Sequence, residues 1–217
     1  MVDTEIWLRL MSVSTLYGDD MVRIARRLAE QSHIDDLVLQ QAGLSSRQAH
    51  RFLSFSQKSF ESSLRWLEQP NHHLIPADSK FYPPQLLATT DYPGALFVAG
   101  ELHALQSFQL AVVGSRAHSW YGERWGRLFC ESLAAYGVTI TSGLARGIDG
   151  VAHKRPCRSM VSVLLFWAMD LILFILVAMP GWPPVYLNMV ALLSRNFPLM
   201  HPHWLIISHE EIALLAV

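Results

Sequence analysis

The sequence predicts an α/β protein: an incomplete doubly wound parallel sheet preceded by a small helical module. Three observations carry that reading. Residues 1–70 place apolar side chains at helical spacing and contain no strand-like run. From Gln109 the chain alternates apolar run, Gly-containing turn and helical stripe, then repeats the series, which is the pattern of a βαβ unit. After Lys154 the composition changes abruptly: residues 155–217 hold six charged residues and no Lys, against 29 charged residues in the 154 before them.

Each element follows from local chemistry. Trp7, Leu8 and Leu10 begin a first helix. Met21, Ile24, Ala25, Leu28 and Ala29 form a stripe within Met21 to Gln31, with Asp19 or Asp20 as its expected cap. Gly43 marks a stop, and Ser45 or Ser46 caps a further helix running through Ala49, Phe52, Leu53 and Phe60 towards Leu67. Pro70, Pro76, Pro83, Pro84 and Pro93 make the next stretch an extended linker, closing on a short strand, Ala95 to Ala99. Leu110 to Val113 is a continuous apolar run, as a buried parallel strand requires. Tyr121 to Tyr136 reads as a helix with Trp125, Leu128, Phe129 and Leu133 on its stripe and Gly137 at its end. Val138 to Thr141 is the next strand and Ile148 to Lys154 the next helix. The expected organisation is a helical module over 1–70, linker and first strand over 71–108, a truncated α/β domain over 109–154, and an apolar tail over 155–217.

Composition narrows the function classes. The net charge of −1 gives no global basic field, so any polyanion site must be a local patch. Cys130 and Cys157 form neither a disulfide framework nor a metal pattern, and the acidic N-terminus carries no signal-like apolar run. Both point to a cytoplasmic protein.

In a doubly wound sheet, ligands bind beyond the carboxyl ends of the strands, where both Gly-containing turns fall. Gly114 lets a ligand approach the backbone, the amides after it lead into a helix, Ser115 adds a hydroxyl and Arg116 a guanidinium. The second turn repeats the design with Ser142, Gly143, Arg146 and Gly147. Two Arg and two Ser at one sheet edge make an anion pocket, suited to the phosphate of a nucleotide or of a nucleic-acid backbone. Asp149 reads as stabilising the start of its helix, with His153 four residues on as its pairing partner, rather than as a catalyst. No nucleophile–base pair stands out, no metal or cofactor site is expected, and the absence of GxGxxG argues against a dinucleotide.

The segments Ala111 to Arg116, Ser142 to Asp149 and Ala152-His153 resemble the core signature of the DNA-processing protein A (DprA/Smf) family. Tyr82-Pro83, Leu86, Asp91, Pro93, Leu96 and Gly100 resemble its lead-in, and the N-terminal helices resemble its sterile-alpha-motif-like (SAM-like) module. The resemblance implies an extended Rossmann-like fold that binds single-stranded DNA, dimerises, and delivers DNA to the RecA recombinase during natural transformation. It implies that Gly114, Ser115, Arg116, Ser142, Gly143, Arg146 and Gly147 line the DNA pocket. It implies a binding protein rather than an enzyme.

The tail departs from that pattern. The family continues with a Leu-Gly-x-Gly turn, whereas Met160 to Met179 is twenty residues with one charge, Asp170. Taken literally this is a membrane-helix candidate, flanked by Lys154, Arg155 and Arg158, with Asp170 costing about 2.5–3.5 kcal/mol. A shifted reading frame accounts for it better. Phe166 to Asp170 must be encoded TTY TGG GCN ATG GAY, and displacing the frame regroups these bases as YTG GGC NAT GGA, or Leu-Gly-x-Gly. Leu205 to Ala213 regroups to allow Asn-Phe-Pro-Arg-Arg-Asn-Arg, a later family segment. Residues 155–217 are therefore read as non-native, out-of-frame sequence, and His201, His203 and His209 as an accidental cluster. This predicts a chain that folds poorly or aggregates and binds DNA weakly. Two other readings remain: a Rossmann-type nucleotide-binding hydrolase, and a membrane-anchored protein using residues 160–179.

Overall fold

A computed structural model describes residues 3–142, 147–153, 163–169 and 172–178. Five helices come first: α1 (Asp3–Met11), α2 (Gly18–Ala29), α3 (Asp36–Ala42), α4 (Ser46–Leu53) and α5 (Gln57–Leu67). Arg9 of α1 forms a salt bridge with Glu5 one turn away and donates Nη1–H to the Phe52 carbonyl at the end of α4 (3.1 Å). That carbonyl, in the last turn of α4, also accepts the Phe55 amide (3.4 Å), so the guanidinium adds to the cap of α4 and fastens α1 to it.

Two expected boundaries differ. Neither Asp19 nor Asp20 caps α2; Tyr17 stands at the cap without a side-chain bond. Asp19 instead accepts the Tyr92 hydroxyl (2.7 Å), while Gly18, at φ +51°, donates its N–H to the Tyr92 carbonyl (2.8 Å). The carboxylate thus fastens α2 to the segment that joins the first two strands, residues 77–94. The single helix expected from Ser45 to Leu67 is two. Ser45 caps α4 in a capping box with Gln48, and Ser56 caps α5 through the Ser59 amide (3.1 Å). Between them Ser54 turns its hydroxyl back to the Arg51 carbonyl (3.2 Å). Serines that bond locally to the backbone interrupt helices, and two of them here suffice.

The stretch after α5 is more structured than an extended linker. β1 (His72–Pro76) pairs antiparallel with β2 (Ala95–Ala99), and 3₁₀ turns occupy Leu86–Ala88 and Leu102–Gln106. Every residue of β2 is buried, and its two faces serve different cores. Ala95, Phe97 and Ala99 join the helical core with Trp7, Leu10, Leu28 and Phe52; Leu96 and Val98 join Ile75, Tyr82, Leu86, Tyr92 and Leu105. The alternation is the two-residue period of a strand.

Then follow β3 (Gln109–Ala111), α6 (Trp120–Ala135), β4 (Thr139–Ser142), α7 (Ile148–His153), β5 (Val163–Met169) and β6 (Ile172–Ala178). The sheet order is β1-β2-β6-β5-β4-β3. β3–β4, β4–β5 and β2–β6 are parallel, as a doubly wound sheet requires, but β5–β6 is antiparallel. The reason is the connection: two residues separate these strands, which permits a hairpin but no crossover.

β5 and β6 fall within the stretch read as out of frame, where no strand was expected, and they replace the continuous helix that a membrane span would need. An interior strand demands little beyond a short β-prone apolar run, and Val163 to Met169 and Ile172 to Ala178 are such runs whatever their origin. Among the described residues no helix is long and apolar enough to cross a membrane.

Candidate polyanion cradle at the ends of β3 and β4

β3 is the edge of the sheet among the described residues, and its pairing with β4 sets Ala111 opposite Thr141. The Val112 amide extends the ladder by one bond to the Thr141 carbonyl (2.8 Å), after which the chain leaves the sheet. The expected strand through Val113 therefore ends early, and Val113 is exposed. Side chains pin the edge: Thr141 donates to Gln109 Oε1 (3.1 Å), and Gln109 Nε2 donates to the Leu105 carbonyl (3.1 Å).

Gly114, Ser115 and Arg116 stand just past the carboxyl end of β3. Ser115 and Arg116 are exposed, and the Ser115 hydroxyl accepts the Ala117 amide (3.1 Å), which tightens the turn. α6 does not start directly from this turn. Ser119 caps it by accepting the Gly122 amide (3.1 Å), so a loop of several residues separates Arg116 from the helix.

The second turn meets the first. The Ile148 amide donates to the Ser115 carbonyl (3.2 Å). Gly147 sits at φ +95°, and a Cβ there would overlap the Ser115 carbonyl oxygen and stand 2.6 Å from Arg116 Cα. A Cβ on Gly114 would stand 2.7 Å from Ile148 Cβ. Both glycines are required for contact, because each lets the opposite turn press against bare backbone. Two turns 33 residues apart in sequence, at Gly114 and Gly147, thus form one rim.

The seven expected site residues are placed unevenly. Gly114, Ser115, Arg116 and Gly147 share the rim. Ser142 ends β4 but is 2% exposed, so its hydroxyl is not presented on the open surface as Ser115 is. Gly143 and Arg146 lie outside the described residues. Asp149 is buried in the first turn of α7, and the side chain of His153 is outside the described residues. Among the described residues no group of three His, Cys, Asp or Glu is placed to hold a metal; His201, His203 and His209 lie outside them.

Among the described residues, Cys130, Ile140 and Ala152 form a buried cluster here, with Val112 and Leu133 packed against it. Burial first, and Glu131 second, push the Cys130 thiol up to about 11. Cys130 is a packing residue; Cys157 lies outside the described residues. α6 leans on α7 through small residues, with Gly122 facing Ile148 and Gly126 facing Val151. Of the apolar stripe on α6, Leu133 packs against this cluster, whereas Trp125, Leu128 and Phe129 are exposed, as are Trp120 and Tyr121. Sequence reasoning looked for the bulkiest stripe, whereas close helix packing selected the glycines. The signal that would have shown it is the alternation Trp120-Tyr121-Gly122-Glu123-Arg124-Trp125-Gly126-Arg127.

Known proteins carry the same segments. The family model described as SMF/DprA SAM domain matches residues 1–65, and that described as DNA recombination-mediator protein A matches residues 73–171. The chain is 86% identical to Protein Smf of Escherichia coli (strain K12) over 154 residues, covering 71% of this chain and 41% of that one. It is 36% identical to DNA processing protein DprA of Bacillus subtilis (strain 168) over 86 residues, covering 39% and 29%. The chain thus spans less than half the length of these relatives. The crystal structure of DNA processing protein A from Streptococcus pneumoniae is similar in fold, with a TM-score of 0.54 at 18% identity over 98% of this chain and 75% of that one.

Proposed function

The chain belongs to the SMF/DprA family of DNA recombination-mediator proteins, and from that premise we propose that it binds single-stranded DNA through the rim at Gly114, Ser115, Arg116 and Gly147. The observation that carries the proposal is the contact between the two turns. It places bare backbone, an exposed hydroxyl and an exposed guanidinium at one sheet edge, with Arg146 four residues past the end of β4 in sequence. Such a cradle neutralises phosphates without reading bases, so binding is sequence-tolerant and falls steeply with salt. Gly143, Arg146 and Ser142 complete the proposed cradle.

The relatives' names as DNA processing proteins favour a polynucleotide over a free nucleotide as the ligand. In the same reading the protein is cytoplasmic, acts by binding rather than catalysis, forms homodimers when its frame is intact, and passes DNA to a RecA-type recombinase. Residues 155–217 are proposed to be out of frame, leaving half a cradle that binds weakly.

Binding is tested by fluorescence anisotropy at low salt with a labelled oligo(dT), competed by duplex of equal length and by nucleoside monophosphate. Competition in the order single strand, duplex, monophosphate is expected; monophosphate competing best, or being hydrolysed, would favour the hydrolase reading. Resequencing the gene around the Lys154 codon tests the frame. Restoring one base is expected to tighten oligo(dT) binding at least about tenfold, since a second set of cationic contacts returns.

A further inference from the structure

We propose that Trp120, Tyr121 and Trp125 of α6, with Arg124 laid over Trp120, form a base-stacking platform continuous with the phosphate cradle. This rests on the single-strand reading of that cradle and adds the surface that takes the bases.

A helix with large apolar side chains around most of its circumference is ordinarily buried. α6 breaks that rule from its cradle end through Phe129. Trp120 is 71% exposed and Tyr121 64%, and Trp125 beyond them is also exposed. The α6 face packed on α7 is made of Gly122 and Gly126, so these rings lie off that contact. They stand in two pairs: the Arg124 guanidinium lies 5.5 Å from the Trp120 ring centre, and the Tyr121 and Trp125 rings are 5.9 Å apart. A guanidinium over an indole forms a cation–π pair and keeps a positive charge among the rings.

Place and charge select the occupant. Trp120 opens the helix four residues after Arg116, so a strand whose phosphate rests on the cradle meets these rings next. Arg124 and Arg127 are exposed on the same two turns, whereas Glu123, the carboxylate there, is only partly exposed and has a partner. Rings interleaved with guanidinium groups beside a phosphate site match a strand whose bases are unpaired. Bases stacked in a duplex offer no free face, so the platform also supplies a preference for single strands.

The test uses the 217-residue chain at low salt with two labelled oligonucleotides of equal length, oligo(dT) and an abasic strand. Trp120→Ala and Tyr121→Ala are each expected to weaken oligo(dT) binding about fivefold or more while leaving the abasic strand unchanged. Trp120→Phe keeps most of the affinity but loses part of the tryptophan quenching that oligo(dT) produces. Arg116→Ala weakens both strands, which separates cradle from platform. If Arg116→Ala has no effect while the ring substitutions act on oligo(dT), the cradle fails and the platform stands. The platform is overturned if the ring substitutions leave oligo(dT) binding unchanged, or weaken both strands equally. It is overturned too if they abolish self-association in sedimentation without altering DNA binding, since the face then belongs to a second copy of the chain. If neither strand binds, platform and cradle fail together.

Discussion

Gly147→Ala isolates the contact on which the cradle depends. At φ +95° an alanine is strained by about 1–2 kcal/mol, as for an L-residue in left-handed backbone. Its Cβ would also overlap the Ser115 carbonyl and crowd Arg116 Cα, so the turns must separate. Separation breaks the bond from the Ile148 amide to the Ser115 carbonyl, a further loss of about 0.5–1.5 kcal/mol. The total is roughly 1.5–3.5 kcal/mol, and it falls beside the cluster of Cys130, Ile140 and Ala152 rather than in the helical core. The effect should therefore be local. Amide hydrogen exchange at Ile148 and Val151 should accelerate by roughly 10- to 400-fold, with α1 to α5 unchanged. Oligo(dT) binding should fall by about tenfold or more, because Arg116 moves with the turn. Gly137→Ala is the control: it has a similar strain, at φ +80°, but no atom within 4 Å of the added methyl, and it should leave both readings near wild type. Wild-type exchange and binding in Gly147→Ala would show that the two turns do not support each other.

Phe97→Ala should cost about 3–5 kcal/mol, because this buried β2 ring packs edge-on against Trp66 at 5.3 Å and lies between helices and sheet; chemical denaturation reads the loss. His72, stacked on Trp66 with Nδ1–H donated to the Trp66 carbonyl (2.7 Å), has its pKa lowered by burial from 6.5. The unfolded chain therefore takes up a proton first as pH falls below 6.5, so stability should decline on acidification from there, and His72→Gln should flatten that slope in thermal melts at pH 5 to 7.5. In a Cys157→Ser background, Cys130 should resist thiol reagents at pH 8 until denaturant is added, since its thiol titrates at about 11; fast native labelling would show the rim core to be open. Tyr92→Phe should lower stability by about 1.5–3 kcal/mol, through loss of the bond to the Asp19 carboxylate.

What was legible in the sequence was whatever local chemistry decides. Ser45 and Gly43 act as the cap and stop their residue types imply, and β2, β3 and β4 stand within two residues of their apolar runs. What was hidden depends on distant partners. Asp19 reads as a cap until Tyr92 arrives from 73 residues away to claim its carboxylate. β1 holds two histidines and a proline and looks like linker, yet β2 supplies its ladder. On α6 the stripe was half legible: Leu133 meets the core, but Ile148 and Val151 fill the notches at Gly122 and Gly126, and Trp125, Leu128 and Phe129 are left outside. At the cradle the sequence identified both turns, but their contact depends on how β3 and β4 align. Ser142, read as lining the pocket, is 2% exposed at the end of β4.

The account is tested most directly by the salt dependence of oligo(dT) binding in the wild type and in Arg116→Ala. Each phosphate held by a cation adds roughly 0.7 to the slope of log affinity against log salt for a single strand. The substitution should therefore weaken binding and make that slope shallower by about 0.7. An Arg116→Ala protein whose affinity and slope equal those of the wild type would mean that no phosphate sits on this rim.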